Sequence, residues 1–233
     1  MIIMFGHEKG GVGKSTLATT FAAHVAALGQ YSVVLVDTDE SNNTSRWGEL
    51  RTLNGLETPF TIVNQSVDPT ANILKLSKAY DVVIVDVGGG DYERIIDMSR
   101  IVDLWIAPSA TGQKDADSNI NIIEHFAGAN HKHKNGKIPL AFVFNRAPSS
   151  SNSTEAKYAI EAIREYAPDV KVLDSYLCER MVFRDADRAG KTIFEMPAAK
   201  RQRAEAEFIN FANEAFAAYQ QFQKEPRKST TPP

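Results

Sequence analysis

Residues 6–16 read Gly-His-Glu-Lys-Gly-Gly-Val-Gly-Lys-Ser-Thr and stand between a short apolar run, Met1 to Phe5, and a stretch of helical periodicity, Lys14 to Leu28. Strand, glycine loop, helix is an order with few structural solutions. Gly10, Gly11 and Gly13 have no Cβ to block close approach, so backbone N–H groups from Gly10 through Val12, Lys14 and Thr16 can turn inward on a polyphosphate. The helix that begins there, with Leu17, Phe21, Val25 and Leu28 on one face and Gly29 as its stop, aims the positive end of its dipole at the same point. Lys14 is then spaced to reach the β and γ phosphates, and Ser15 a magnesium ion. An empty glycine-rich turn is the competing account, and the flanking strand and helix speak against it.

The strict pattern G-x-x-x-x-G-K-[ST] wants glycine at position 8, where the chain has Glu8. The chain instead matches K-G-G-x-G-K-[ST], with a second lysine, Lys9, five positions ahead of Lys14. On this loop it resembles the ParA/MinD family of deviant Walker A ATPases. The resemblance implies ATP and Mg2+ as ligands. It also implies that Lys9 crosses an interface to the phosphates held by a partner subunit, so that ATP joins a homodimer. A cation beside the leaving phosphates stabilises charge during hydrolysis, which makes Lys9 and Lys14 candidate catalytic residues.

Seven apolar runs alternate with helical stretches along the 233 residues, of which 43% are hydrophobic. After Met1 to Phe5 come Ser32 to Val36, Phe60 to Val63, Val82 to Val85, Leu104 to Ala107, Leu140 to Phe144 and Val170 to Leu173. Runs that are continuous rather than alternating imply strands buried on both faces. The expected fold is therefore a three-layer α/β/α P-loop NTPase, with a mainly parallel sheet of about seven strands flanked by helices. Residues 1–224 read as one domain and 225–233 as a disordered tail. Asp68 followed by Pro69 reads as a cap and first-turn pair.

In such sheets ligands sit beyond the carboxyl ends of the strands, and the acidic motifs fall there. Val36-Asp37-Thr38-Asp39 leaves the second strand with two carboxylates, and Val82 to Val85 leads into Asp86 and the glycines Gly88, Gly89 and Gly90. Phosphoryl transfer divides the labour: Asp37 and Asp86, with Ser15, for the magnesium ion, and Asp39 for the attacking water. The resemblance assigns the same roles. Relatives usually continue with Pro-Gln after the second-strand aspartates and with Thr-Pro-Pro after the later one, whereas this chain has Glu40-Ser41 and Val87-Gly88-Gly89. Three glycines still leave a loop whose N–H groups can sense a γ phosphate. Asn145, at the end of the sixth strand, offers an amide to adenine, with an ordinary turn as the alternative. The segment from Glu179 to Glu195 resembles the stretch that frames the base in this family.

A net charge of −3 confines any nucleic-acid contact to a local patch, and the compact basic group is Lys200, Arg201 and Arg203, joined by Lys191. A solvated charged face explains it equally well. His7 reads as a polar loop residue, and His131 to Lys134 as a solvated loop rather than a metal site. Trp47 and Trp105 read as packing residues, as do Phe208, Phe211, Ala215, Tyr219 and Phe222 on the last helix. A lone Cys178 argues for a reducing cytoplasm and cannot supply the paired ligands of an iron–sulfur cluster. No run approaches membrane-spanning length, and 225–233 lacks the basic amphipathic pattern of a membrane anchor.

These readings favour a dimerising ATPase, slow without a partner, that serves plasmid partition, stability or positioning, or conjugative transfer. The whole chain most resembles StbB-type plasmid-stability ATPases. Its loop begins too near the N-terminus for a preceding helix-turn-helix domain, so sequence-specific DNA reading falls to a DNA-binding partition adaptor. Non-specific DNA contact would place the protein on the nucleoid. The alternatives are a MinD-like positioning regulator, which would need another membrane tether, and a metabolic P-loop ligase or kinase, for which the second half shows no substrate constellation.

Overall fold

The computed structural model describes residues 1–90, 92–150 and 153–224; the expected tail at 225–233 lies outside the described residues. Seven strands, β1 (Ile2–Phe5), β2 (Val33–Asp37), β3 (Thr61–Asn64), β4 (Val82–Asp86), β5 (Leu104–Ser109), β6 (Leu140–Ala147) and β7 (Lys171–Cys178), form one sheet in the order β3-β2-β4-β1-β5-β6-β7. Every pairing is parallel. Each expected strand is present. β7 runs on beyond Leu173 to Cys178, with register shifts against β6.

The continuous apolar runs have a simple cause. Ile3 and Phe5 of β1 face one core while Ile2 and Met4 face the other, so both sides of the strand are removed from water. One layer packs α1 (Lys14–Ala27), α2 (Asn43–Leu53) and α8 (Ala198–Lys224) on the sheet; Phe21, Phe208 and Phe211 join Phe5 there with ring centroids 5.4 to 6.5 Å apart. The opposite layer comprises α3 (Pro69–Ala79), α4 (Tyr92–Ser99), α5 (Gln113–Ala129) and α6 (Glu155–Tyr166), anchored through Ile73, Ile95, Phe126 and Ile160. Burial of each such side chain contributes about 1.5–3 kcal/mol. Among the described residues no helix is long and apolar enough to cross a membrane.

The local signals held in part. Gly29 ends α1 at φ 67° and Pro69 opens α3, but Asp68 sits at φ 44° and its side chain caps nothing. An eighth helix, α7 (Met181–Arg188), was not among the expected helical stretches; it is eight residues long and buries Val182 and Ala186 on one face.

Register positions the site. Asp37 and Asp86 are paired partners at the ends of β2 and β4, and Asp86 is also paired with Phe5, the last residue of β1 before the glycine loop. Two aspartates distant in sequence therefore stand beside the loop at one edge of the sheet.

Candidate functional site

The loop owes its shape to glycine where shape demands it. Gly11 and Gly13 have φ of 80° and 95°, which L side chains rarely adopt, and Gly13 leads into α1 with no side-chain cap. The N–H groups of the first helical turn are therefore left for an anion. Asn145 braces the loop from behind, donating from Nδ2 to the Val12 carbonyl at 2.8 Å. A Cβ at Gly13 would drive into that same Nδ2 atom. Lys14 is buried, with Nζ donating to the Lys9 carbonyl at 2.9 Å. Burial lowers its pKa against the pull of Asp86 and Asp39.

The acidic residues have three different environments. Asp37 is fully buried and accepts from the Ser45 N–H at 2.9 Å and its hydroxyl at 3.0 Å, tying the end of β2 to the first turn of α2. Asp86 accepts from Thr44 Oγ1 at 2.6 Å and lies near the Ser15 hydroxyl, yet burial pushes its pKa up to about 6. Its Oδ1 is buried without a partner among the described residues. Asp39, half-buried, accepts from the Ser41 N–H at 2.8 Å and closes a tight turn with Asn42 at φ 55°.

That orphaned carboxylate oxygen beside Ser15 fits a hydrated magnesium ion. Among the described residues no three His, Cys, Asp or Glu side chains gather into a metal cage. A carboxylate beside a hydroxyl suits Mg2+, which takes much of its octahedron from water and phosphate.

Two of the glycines after Asp86 are closely approached, and the third, Gly90, has φ of 87°. A Cβ at Gly88 would come within 2.9 Å of Asp39 Cγ, and one at Gly89 within 3.2 Å of the Gly10 backbone. Gly90 N–H donates to the Glu8 carbonyl at 2.7 Å. This loop thus lies directly across the glycine loop.

Lys9 turns away from the cleft. Its ammonium pairs with Asp115 Oδ1 at 2.5 Å, at the start of α5, and a third of its side chain (33%) stays exposed. His7 is fully buried rather than a polar loop residue at the surface: Nδ1 accepts from the Lys9 N–H at 3.0 Å, which leaves Nε2–H to donate to Asn119 Oδ1 at 3.0 Å. The neutral tautomer is thereby fixed, and burial lowers its pKa. His133 behaves likewise and corrects the expectation of a solvated loop: it is buried, accepts from the Asn135 N–H at 3.0 Å and donates to the Val102 carbonyl at 2.8 Å.

Beside Lys14 and Asp39 opens a cleft of about 510 Å3, walled by the glycine loop, Trp47 and Arg146. A smaller recess of about 100 Å3 adjoins it between Asn145 and Phe183. Arg146 and Asp187 line both, and neither stood out in the sequence. Asp115 and Asn119 were also unmarked, because their partners lie 106 and 112 positions away. Trp47 is a packing residue, stacked on Phe60 at 6.1 Å, and also a cleft wall. The basic cluster is divided: Lys200 and Arg203 are exposed and Lys191 half-buried. Arg201 instead donates to the Phe194 and Met196 carbonyls and pairs with Glu205 at 2.9 Å, so its charge is already engaged within the fold.

Comparison with known proteins agrees with this geometry. The chain is 26% identical over 204 residues to the maintenance of carboxysome distribution protein A of Halothiobacillus neapolitanus, covering 87% of this chain and 89% of that one. Its fold matches an ATP complex of a Cyanothece McdA variant (TM-score 0.72, 15% identity, 93% and 96% coverage). It also matches the septum site-determining protein MinD of Pyrococcus horikoshii with Mg-ADP (TM-score 0.64, 20% identity, 91% and 94% coverage). The profile of the CobQ/CobB/MinD/ParA nucleotide binding domain spans residues 3–193, from β1 past the glycine loop, both buried aspartates and α7, and the chain belongs to that family.

Proposed function

We propose that the chain is an ATP-driven positioning protein of the ParA/MinD type, in which ATP and Mg2+ join two copies and hydrolysis parts them. The observation that carries this reading is the placement of Lys9. Its ammonium lies outside its own cleft, on Asp115, with part of the side chain open to solvent. A second copy facing the cleft would receive it.

Within the cleft, Lys14 and the N–H groups from Gly10 to Thr16 hold the phosphates, and Ser15, Asp37 and Asp86 hold the hydrated magnesium ion. When bound, the metal neutralises charge shared by the β and γ phosphates. Asp39 orients the attacking water from its turn beside Gly88, and Lys9 of the partner copy meets the charge that develops on the leaving phosphates. Asn145 and the recess beside it take the base. Turnover is slow until a partner engages.

The cargo is a large body, plasmid DNA or a protein-bounded particle, carried through an adaptor. The relative named for carboxysome distribution, matched over most of its length, supports positioning. Lys191, Lys200 and Arg203 supply non-specific DNA contact on the nucleoid, with Arg201 holding the turn before α8 in place. Sedimentation with and without ATP tests the core of this reading. Wild type should dimerise with ATP and Mg2+, Lys14→Ala should bind no nucleotide, and Lys9→Ala should bind ATP yet remain monomeric. A Lys9→Ala protein that dimerises and hydrolyses ATP normally would overturn it. Capture with the hydrolysis-blocked Asp39→Ala variant then identifies the cargo.

A further inference from the structure

The phosphate cleft and the recess beside Asn145 share Gly13, Thr16, Arg146 and Asp187 in their walls, and these residues mark their junction. In a nucleotide the sugar lies between phosphates and base. A nucleotide with its phosphates at Lys14 and its base against Asn145 therefore lays its ribose over this junction. Of the four shared residues, only Asp187 brings an anionic acceptor there.

Its carboxylate is uncommitted. Asp187 is exposed on the last turn of α7, and among the described residues nothing hydrogen-bonds or ion-pairs with its side chain. Of the neighbouring cations, Arg184 pairs with Glu179 and Arg180 with Glu207, and Arg146, in the same walls, forms no ion pair with Asp187. The backbone is held: the Gly190 N–H donates to the Asp187 carbonyl at 3.0 Å, and buried Val182 and Ala186 seat the helix. A fixed, unpaired carboxylate beside a phosphate site repels the phosphates, and among the groups a nucleotide presents there it gains from the neutral donors. Vicinal hydroxyls are such donors, and a carboxylate is how nucleotide-binding folds commonly read them.

We propose that Asp187 accepts hydrogen bonds from the ribose 2′- and 3′-hydroxyls and thereby selects ribonucleotides over deoxyribonucleotides. The assignment rests on the nucleotide reading of the cleft. A hydrogen bond to a charged acceptor corresponds to about a tenfold or greater change in affinity.

Isothermal titration of wild type, Asp187→Asn and Asp187→Ala with ATP, 2′-deoxyATP and 3′-deoxyATP tests it. Wild type should bind at least one deoxy analogue about tenfold more weakly than ATP. In Asp187→Ala that ratio should fall below about twofold, with affinity for the deoxy analogue retained as an internal check on folding, and Asp187→Asn should lie between. Equal affinities in wild type, or an undiminished ratio in Asp187→Ala, would overturn the ribose assignment alone. Failure of wild type to bind ATP would remove the nucleotide reading with it.

Discussion

Lys9 Nζ and Asp115 Oδ1 form an ion pair at 2.5 Å across 106 positions of sequence, and that pair holds the second lysine of the glycine loop against its own subunit. A lysine that serves a partner's nucleotide must first leave this contact. With the Lys9 side chain one-third exposed, the pair is worth about 1 kcal/mol or less. Asp115→Asn should therefore lower the ATP concentration for half-maximal dimerisation by up to about fivefold, read by sedimentation or light scattering. An unchanged midpoint would mean that Asp115 does not restrain Lys9.

Two glycines of the loop separate backbone freedom from contact. Gly11 and Gly13 both have positive φ, but a Cβ at Gly11 meets nothing within 4 Å, whereas one at Gly13 collides with the Asn145 amide. Gly11→Ala should cost about 1 kcal/mol from the backbone alone. Gly13→Ala should cost roughly 2–4 kcal/mol, because Asn145 must also give up its bond to Val12. Urea denaturation of the two variants resolves the difference, and equal losses would show that the Asn145 brace does not matter.

Asp86 gives a pH dependence with a definite sign. Its folded pKa of about 6 lies above the ordinary carboxylate value, so the folded chain binds an extra proton between about pH 4 and 6. Its contribution to stability is fully present below pH 4 and is lost as pH rises through 6. A magnesium nucleotide needs the carboxylate ionised, so its binding should release about one proton at pH 5.5 and almost none at pH 8. Titration in buffers of different ionisation enthalpy counts those protons. Asp86→Asn, which cannot ionise, should abolish the release and stabilise the ligand-free protein at pH 8 by on the order of 2 kcal/mol. Proton release that persists in the variant would assign it to another group.

His7 acts in the opposite direction. Burial lowers its pKa, and its two ring nitrogens already accept from Lys9 and donate to Asn119. The unfolded chain takes up a proton near pH 6.5 that the folded loop resists. Stability from this residue is thus complete above pH 6.5 and declines as the solution is acidified toward the folded pKa. His7→Asn should flatten the decline between pH 6.5 and 5.5 in thermal melts, and a slope equal to wild type would exclude His7 as its source.

Much of this architecture was legible because it depends on patterns confined to one stretch of chain. Strands such as Val82 to Val85 are apolar throughout because each face meets a core, and the glycine spacing before Lys14 is itself the phosphate loop. Asp37 and Asp86 were each placed at the carboxyl end of a strand, whereas their adjacency comes from the sheet order, which sets β2 beside β4. The illegible parts join distant positions. Nothing local marks Asp115 as the counter-ion of Lys9 or Asn119 as the partner of His7, and the resemblance over Glu179 to Glu195 did not single out Asp187 within that stretch. Arg201 lay in an evident basic cluster, yet its guanidinium is consumed by carbonyls that only the turn before α8 brings near. Asp68 failed as a cap for a subtler reason: Pro69 fixed where the helix begins, but φ of 44° carried the preceding carboxylate away from its N–H groups.

Arg51 is a long-range tie with a large expected effect on stability. Its guanidinium is buried on α2, pairs with both oxygens of Glu195 at 2.7 and 2.9 Å, donates to the Gly190 carbonyl at 2.9 Å and lies 4.9 Å from the Trp47 ring. Glu195 in turn accepts from the Thr192 N–H at 2.9 Å. The helix that follows the Asp39 turn is thus fastened to the segment that follows α7. Removing the cation leaves Glu195 short of its partner and the Gly190 carbonyl unpaired, so Arg51→Ala should cost about 2–4 kcal/mol, the lower end reflecting the partial exposure of Glu195. Arg51→Lys should recover less than half of that, because one ammonium cannot reproduce the planar two-toothed pairing. Trp47 lies between this tie and the cleft, with Nε1 donating to the Lys191 carbonyl at 3.3 Å, so its fluorescence reports both folding and nucleotide binding. If Arg51→Lys melts as wild type does, the bidentate geometry is not what secures the segment.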